Sequence, residues 1–232
     1  MGTAERRQRE RERKEKEITE AARGFFFSKG YDSTSVDDIA ERLELSKGTI
    51  YLYFANKEEL YFAVAKDGLL IVRGMFEKAM AGPGNGLERL MAIGRAYIEF
   101  WSSQPEYRRL FHDTVTRTSP LQSGPRGAEF ARIGAEANGL MVVTIKQGIA
   151  DGSIRPDADP EKLAFCASSM VDGILDRTER MGKNKGDEVE REKMLTYAFD
   201  LVGRAMANLQ ETSIAAGSEV SGAKKKNVRN RP

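Results

Sequence analysis

The chain has 232 residues, 40% hydrophobic and 31% charged, with a formal net charge of +2. That length gives room for one or two domains with a sizeable core, and a lone cysteine, Cys166, excludes an intrachain disulfide. No apolar run approaches the ~18 residues of a membrane span and the N-terminus has no apolar signal core, so a cytoplasmic protein without a membrane partner is expected. Charge is unevenly spread. Ala223 to Pro232 carries five basic residues and no acid, whereas residues 1 to 57 hold twelve basic and eleven acidic side chains. A strongly basic N-terminal footprint is therefore absent, and local charge must do any steering.

Glu5 to Glu17 has no apolar residue, yet Glu5–Arg9, Glu10–Lys14 and Glu12–Lys16 are spaced i, i+4 in the favourable order, so a helix can extend through it. A solvated helical extension and a basic arm following DNA both fit this segment. Ile18, Ala21, Ala22, Phe25 and Phe26 give the first apolar stripe, and Gly30 predicts its stop. Ser35 with Asp38 is a capping box that predicts a helix from Val36 to about Leu43. Its buried stripe is Val36, Ile39, Ala40 and Leu43, and Leu45 sits in the following turn.

Ser46 is an N-cap, and Asn56 with Glu59 is a second capping box, so the helix between them spans only about two turns and is too short to be stable alone. Ile50 and Phe54 supply its anchors. Gly48 and Leu52 point the other way with Thr49 beside them, and Lys47 with Tyr51 and then Tyr53 form the flanks. Lys47 and Lys57 open their helices, where the dipole disfavours a cation unless an anionic partner is present. A helix-turn-helix would place Lys47, Gly48, Thr49 and Leu52 against base edges. Thr34, Ser35, Ser46, Tyr51, Tyr53 and Lys57 would then donate to phosphates. A plain three-helix packing unit with solvated lysines has the same periodicity.

The stretch AARGFFFSKGYDSTSVDDIAERLELSKGTIYLYFANKEELYFAV resembles, without a gap from Ile18 to Val64, the DNA-binding domain of the tetracycline-repressor (TetR) family. The resemblance implies a dimer on a palindromic operator, with Lys47, Gly48, Thr49, Tyr51, Tyr53 and Lys57 at the matching DNA-contact positions. It also implies a second domain that binds a small molecule.

Leu60 to Met80 continues the helix opened at Asn56, a natural mechanical link out of the DNA-binding unit, and Ala81 to Gly86 breaks it. Leu87, Leu90, Met91, Gly94, Tyr97, Ile98 and Trp101 form the next stripe, ending near Pro105. Tyr107 to Thr116 is a short helix, Ser119 to Gly127 a loop, and Phe130 to Ala150 a helix. GIADGSIRPDADPEKLA then resembles a turn between the later helices of the same family. Leu163, Ala167, Met170, Val171 and Ile174 make one long stripe, and Met194, Ala198, Leu201, Val202, Ala205 and Leu209 another, with polar residues 181–188 between. Two such helices either close the protomer core or pair with their symmetry mates, and the resemblance implies the dimer. Beyond Gln210 the apolar content is lost, which predicts a disordered basic tail.

The fold expected is all-α with about nine helices. It has an extension over 1–17, a three-helix helix-turn-helix domain over 18–60, a larger helical ligand-binding and dimerisation domain over 61–211, and the tail over 212–232. The dimer interface expected comprises Leu163, Ala167, Met170, Val171, Ile174, Ala198, Leu201, Val202, Ala205 and Leu209. Tyr97, Trp101, Phe111, Met141, Phe165 and Met170 are candidates to line a cavity for a small hydrophobic effector. A single histidine, His112, no nucleophile–base spacing, no metal motif and no Gly-rich cofactor fingerprint argue against an enzyme or a cofactor. The expected function is a dimeric regulator, a repressor that leaves a palindromic operator when the effector binds. The rival is a helical dimer that binds DNA constitutively, or an interaction scaffold without an inducer.

Overall fold

The computed structural model describes residues 2–116, 124–181 and 185–208, with the side chains of 3, 112–116, 178–181 and 185–188 outside that description. His112, Leu209, the basic tail and residues 119–123 of the loop expected over 119–127 therefore lie outside the described side chains or residues. Among the described residues nine α-helices account for the fold: α1 (Thr3–Lys29), α2 (Val36–Arg42), α3 (Lys47–Tyr51), α4 (Lys57–Met80), α5 (Gly86–Ser103), α6 (Pro105–Thr116), α7 (Pro125–Ala150), α8 (Pro160–Met181) and α9 (Lys185–Met206). None of them is long and apolar enough to cross a membrane. The fold is all-α, as the stripes predicted. Two boundaries differ, because Pro105 and Pro125 each sit at the first helical position, where a missing N–H costs nothing. Gly127, expected in a loop, is consequently helical.

Two compact units result. One comprises Met1–Lys78 with Arg95–Gly139, and the other Ala79–Gly94 with Leu140–Pro232, so the division falls inside α5 and α7. In the first unit, Ile18, Ala22 and Phe26 of α1, Ile39 and Ala40 of α2, Ile50 of α3 and Phe54 after it are buried with Leu60 to Ala65 of α4. Aromatic rings extend that core in an unbroken series. Tyr31 meets Tyr61 at 5.0 Å between ring centres, Tyr61 meets Phe62 at 5.9 Å, and Phe62 meets Phe130 at 5.4 Å. Phe130 meets Phe111 at 6.0 Å, Phe111 meets Trp101 at 5.7 Å, and Trp101 meets Tyr97 at 5.6 Å. The Tyr61 hydroxyl, buried in this series, donates to the Leu110 carbonyl.

The second unit is closed by the DGSI turn after α7. Asp151 accepts from the Gly86 N–H at 2.7 Å and Ser153 Oγ from the Leu87 N–H at 3.0 Å, which satisfies two free donors at the start of α5. Gly152, at φ 81°, makes the turn. Arg155 N–H then reaches the Met206 carbonyl at 3.0 Å, and Ile154 bridges Ala207. One tetrapeptide thus ties the first turn of α5 to the last turn of α9. Ile154 enters the core beside Leu90, Ile145, Ala164 and Met206.

Of the residues expected at a dimer interface, Ala167, Val171 and Ala198 are buried within the protomer, so that part of the stripe closes the protomer's own core. Leu163, Met170, Ile174 and Val202 are half-buried, and Leu201 and Ala205 are exposed. The exposed apolar face of the same helices is Phe165, Met194, Tyr197 and Leu201. Phe165, expected to line a cavity, is instead 69% exposed, because it lies about 200° around α8 from the buried Ala167.

Two glycines of α4 separate packing from propensity. A Cβ on Gly68 would stand 2.5 Å from Tyr107 Cδ1 and 2.8 Å from Phe111 Cζ, whereas one on Gly74 meets nothing within 4 Å. Removing a mid-helix glycine gains up to about 1 kcal/mol, and overpacking a core costs about 1–3 kcal/mol. Gly74→Ala should therefore raise the urea midpoint while Gly68→Ala lowers it, the opposite signs being read in one denaturation experiment.

Candidate nucleic-acid interface

The interface is built on α2 and α3. Both halves of the α2 capping box are present: Asp38 N–H donates to Ser35 Oγ at 3.0 Å, and Ser35 N–H to Asp38 Oδ2 at 3.0 Å. A 2.7 Å ion pair from Lys29 of α1 also lands on Asp38. That bond, with the two from Ser35, pulls the Asp38 carboxyl well below the usual carboxylate range. α2 ends in a Schellman motif, with Leu45 N–H on the Ala40 carbonyl at 2.9 Å and Glu44 N–H on Glu41 at 3.1 Å. The left-handed position is filled by Glu44, at φ 54°, where glycine is the usual occupant.

Ser46 caps α3 by accepting the Thr49 N–H at 3.1 Å, and its hydroxyl lies 2.8 Å from Thr49 Oγ1. α3 itself is only Lys47–Tyr51. Ile50 and Phe54, each 1% exposed, hold it to the core. The opposite face is open, with Leu52 72% exposed and Tyr51 exposed beside it. Gly48 is exposed and Thr49 and Tyr53 are half-buried. Lys47, at the α3 N-terminus, pairs with Asp37 of α2 at 2.7 Å, which raises its pKa and keeps it charged. Lys57 stands 4.2 Å from the Tyr31 ring centre and 3.4 Å from the Asp32 carbonyl.

Thr34 is placed differently from expectation. It is 2% exposed and its hydroxyl donates inward to the Gly30 carbonyl at 2.7 Å, so in this conformation it offers no donor to a phosphate. The cause is the tight exit from α1, whose last turn supplies an acceptor closer than solvent. Ser35 remains half-buried at its cap.

Two features were not legible in the spacing. Asp37 stands in the first turn of α2, and its pairing with Lys47 depends on the angle between α2 and α3. Arg126, in the first turn of α7, lies 3.0 Å from Glu15 of α1, 3.6 Å from Glu59 of α4, and 4.6 Å from the Phe54 ring centre. Glu59 is almost wholly buried, so its N–H completes the Asn56 cap at 2.8 Å while its carboxylate turns to Arg126. A buried charge of this kind is costly to strand if its partner is removed. No sequence signal places residue 126 beside residue 59.

The outward residues lie on the second helix of a helix-turn-helix, the element that enters the major groove in that motif. The class so defined is a DNA-binding transcriptional regulator. Comparison with known proteins agrees: residues 18–64 match the family model described as bacterial regulatory proteins, tetR family. Over 143 residues the chain is 27% identical to the HTH-type transcriptional repressor KstR2 of Mycolicibacterium smegmatis, covering 62% of this chain and 68% of that protein. The structure of the ketosteroid transcriptional regulator KstR2 of Mycobacterium tuberculosis superposes with a TM-score of 0.60 at 23% identity, over 84% of this chain and 95% of the other. A TetR/AcrR-family regulator from Thermobifida fusca gives 0.59 at 26% identity, over 82% and 96%. Residues 18–64 thus belong to the TetR family of bacterial regulatory proteins, and over its greater length the chain is similar to the transcriptional regulators just named.

The Asp38 cap makes an acid-side prediction. A carboxyl whose folded pKa is depressed contributes stability above its ordinary value of 3.8, and that contribution is lost as pH falls below it. Asp38→Asn should therefore lower the melting temperature at pH 7, and the gap to wild type should narrow steadily from pH 5 to pH 3. Asp151, Asp159 and Glu161 are also depressed, by hydrogen bonds from Ser153, Lys162 and Lys146, so the wild-type chain loses stability over the same range.

Proposed function

We propose that the protein is a dimeric repressor that binds a palindromic operator and leaves it when a small hydrophobic effector binds. The observation that carries the DNA reading is the exposed Lys47–Leu52 face of a helix whose opposite side is pinned by Ile50 and Phe54. Lys47, Gly48, Thr49 and Leu52 read base edges, while Ser35, Ser46, Tyr51, Tyr53 and Lys57 hold phosphates and fix register. Lys47 exchanges Asp37 for DNA on binding, a small sacrifice because exposed ion pairs are worth about 0–1 kcal/mol.

The second copy covers Phe165 of α8 and Met194, Tyr197 and Leu201 of α9, with Ala205 at the margin. Tyr197 is 71% exposed in the protomer, and large apolar groups clustered on one helix face are the usual mark of a subunit interface. The repressor function of the Mycolicibacterium smegmatis relative supports the same sign of regulation here.

The effector reading rests on Trp101. It is 6% exposed, and its indole N–H is fully buried with no acceptor among the described residues, amid Tyr97, Phe100 and Phe111. A buried donor left unpaired costs about 1–3 kcal/mol. An apolar ligand carrying one hydrogen-bond acceptor relieves that cost, and only a conformation that admits it gains, which is the differential affinity that control requires. The aromatic series from Trp101 to Tyr31 gives the binding event a packed route toward Lys57. Met141 and Met170, expected alongside, belong to the other compact unit, where Met141 packs against the Leu90, Ile145 and Ile154 cluster.

Selection from random DNA should enrich palindromes whose half-sites are about one helical turn, or a multiple, apart. Asymmetric sites or none would sink the dimer. On the selected site, Lys57→Ala should weaken binding evenly and reduce the salt slope by about one, while Lys47→Ala should relax preference at particular bases by roughly 1–3 kcal/mol. Equal, uniform losses would overturn that division of roles.

For the effector, a hydrophobic ligand found by thermal-shift screening should bind more weakly in the presence of operator, by the factor with which it weakens operator binding, typically ~1–3 kcal/mol of coupling. Trp101→Phe should weaken ligand binding while leaving operator affinity intact. Equal ligand affinity with and without operator would leave a constitutive DNA-binding dimer.

A further inference from the structure

α1 begins at Thr3, well before Ile18, its first buried residue, and the reading above gives that leading segment no role. Its sides are chemically distinct. At 3.6 residues per turn, Arg7, Arg11 and Lys14 fall at i, i+4 and i+7, and that line runs on into Ile18 and Ala22, both fully buried. The basic line therefore faces the side of the body on which α1 packs. Arg11 fixes the direction: its guanidinium donates to the Leu52 carbonyl at 3.4 Å and stands 5.4 Å from the Tyr53 ring centre. Leu52 and Tyr53 end the base-reading helix, so the line of cations adjoins its open face.

The acids do not cancel this face. Glu5 and Glu12 lie around the helix from it, and Glu10 flanks it one turn from Arg7 and from Lys14. Glu15 pairs with Arg11 at 3.2 Å but also with Arg126 at 3.0 Å, and Glu17 holds Lys14 at 3.0 Å. Arg11 keeps about half its side chain in solvent, 53% by exposure, despite its contacts with Leu52, Tyr53 and Glu15. At about 1.5 Å per residue the three cations span roughly 10 Å, the axial advance of about three phosphates on one strand.

Resting on the DNA-binding reading, we propose that the Arg7–Arg11–Lys14 face of α1 binds the phosphate backbone of the operator beside the segment that α3 reads. Charge complementarity supplies the affinity, and the contacts of Arg11 with Leu52 and Tyr53 place the face next to the groove. The bonds made are ionic and sequence-independent, so the arm adds affinity and salt dependence without altering which bases are preferred.

The test uses the full chain and its selected operator, with affinity measured by fluorescence anisotropy from about 50 to 200 mM salt. Arg7→Gln and Arg11→Gln should each weaken specific and non-specific binding several-fold and reduce the log–log salt slope by about one, and the double variant by about two. Arg11→Lys, which keeps the charge but not the planar contact with Tyr53, should retain the slope. That result separates a phosphate contact from a purely structural brace on α3. On a duplex trimmed to the bases read by α3, wild type and the Arg7→Gln variant should bind alike. Specific binding with an unaltered slope in both Gln variants overturns the arm and leaves the regulator standing. A wild-type chain that binds no duplex overturns the DNA-binding reading, and the arm with it.

Discussion

Everything specific about this protein hangs on the burial of two side chains. α3 has five residues, about one and a half turns, and a helix that short does not persist in water by propensity. It exists because Ile50 and Phe54 enter a core assembled by α1, α2 and α4, and because Ser46 satisfies a free N–H at its start. The arrangement frees the whole opposite face from structural duty. Gly48, Thr49 and Leu52 can be chosen for what they meet rather than for what they pack on.

The same core is continuous with the aromatic side chains farther along the first unit. Tyr61 is the junction: its ring meets Phe26, Tyr31 and Phe62, and its hydroxyl is committed to the Leu110 carbonyl of α6. A rearrangement around Phe111 or Trp101 thus cannot be absorbed silently, since a close-packed interior transmits displacement rather than damping it. Arg126 adds an electrostatic tie between α7 and the reading unit through Glu15, Glu59 and Phe54. Because Glu59 is buried, loosening that tie is expensive.

The second unit solves a different problem, that of holding long amphipathic helices in register with few large side chains. Glycines let backbones approach closely, as at Gly86 against Gly148, and Gly94 and Gly203 receive Phe199 and Met91. The DGSI turn then locks the α5 start to the α9 end with backbone hydrogen bonds and the buried Ile154. With the inner faces of α8 and α9 so occupied, their outer apolar residues, Phe165, Met194, Tyr197 and Leu201, remain exposed.

The sequence by itself determined the helices, their caps and the second helix of the helix-turn-helix, because those depend on interactions within a few residues: Ser35 with Asp38, Ser46 with Thr49, Ile50 with Phe54. The family followed from the same local pattern. Only the tertiary structure decided which face of α8 and α9 turns inward, since an apolar stripe on a helix with many small residues can be assigned two phases, and packing chose the one that exposes Phe165 and Leu201. It also decided the fate of single polar groups. Thr34 turned to Gly30, Lys47 met Asp37, Arg11 reached Leu52, and Trp101 was left without an acceptor among the described residues. These outcomes depend on distances between residues far apart along the chain or on the angles between neighbouring helices. Periodicity carries no information about either, whereas the close-packed core fixes both.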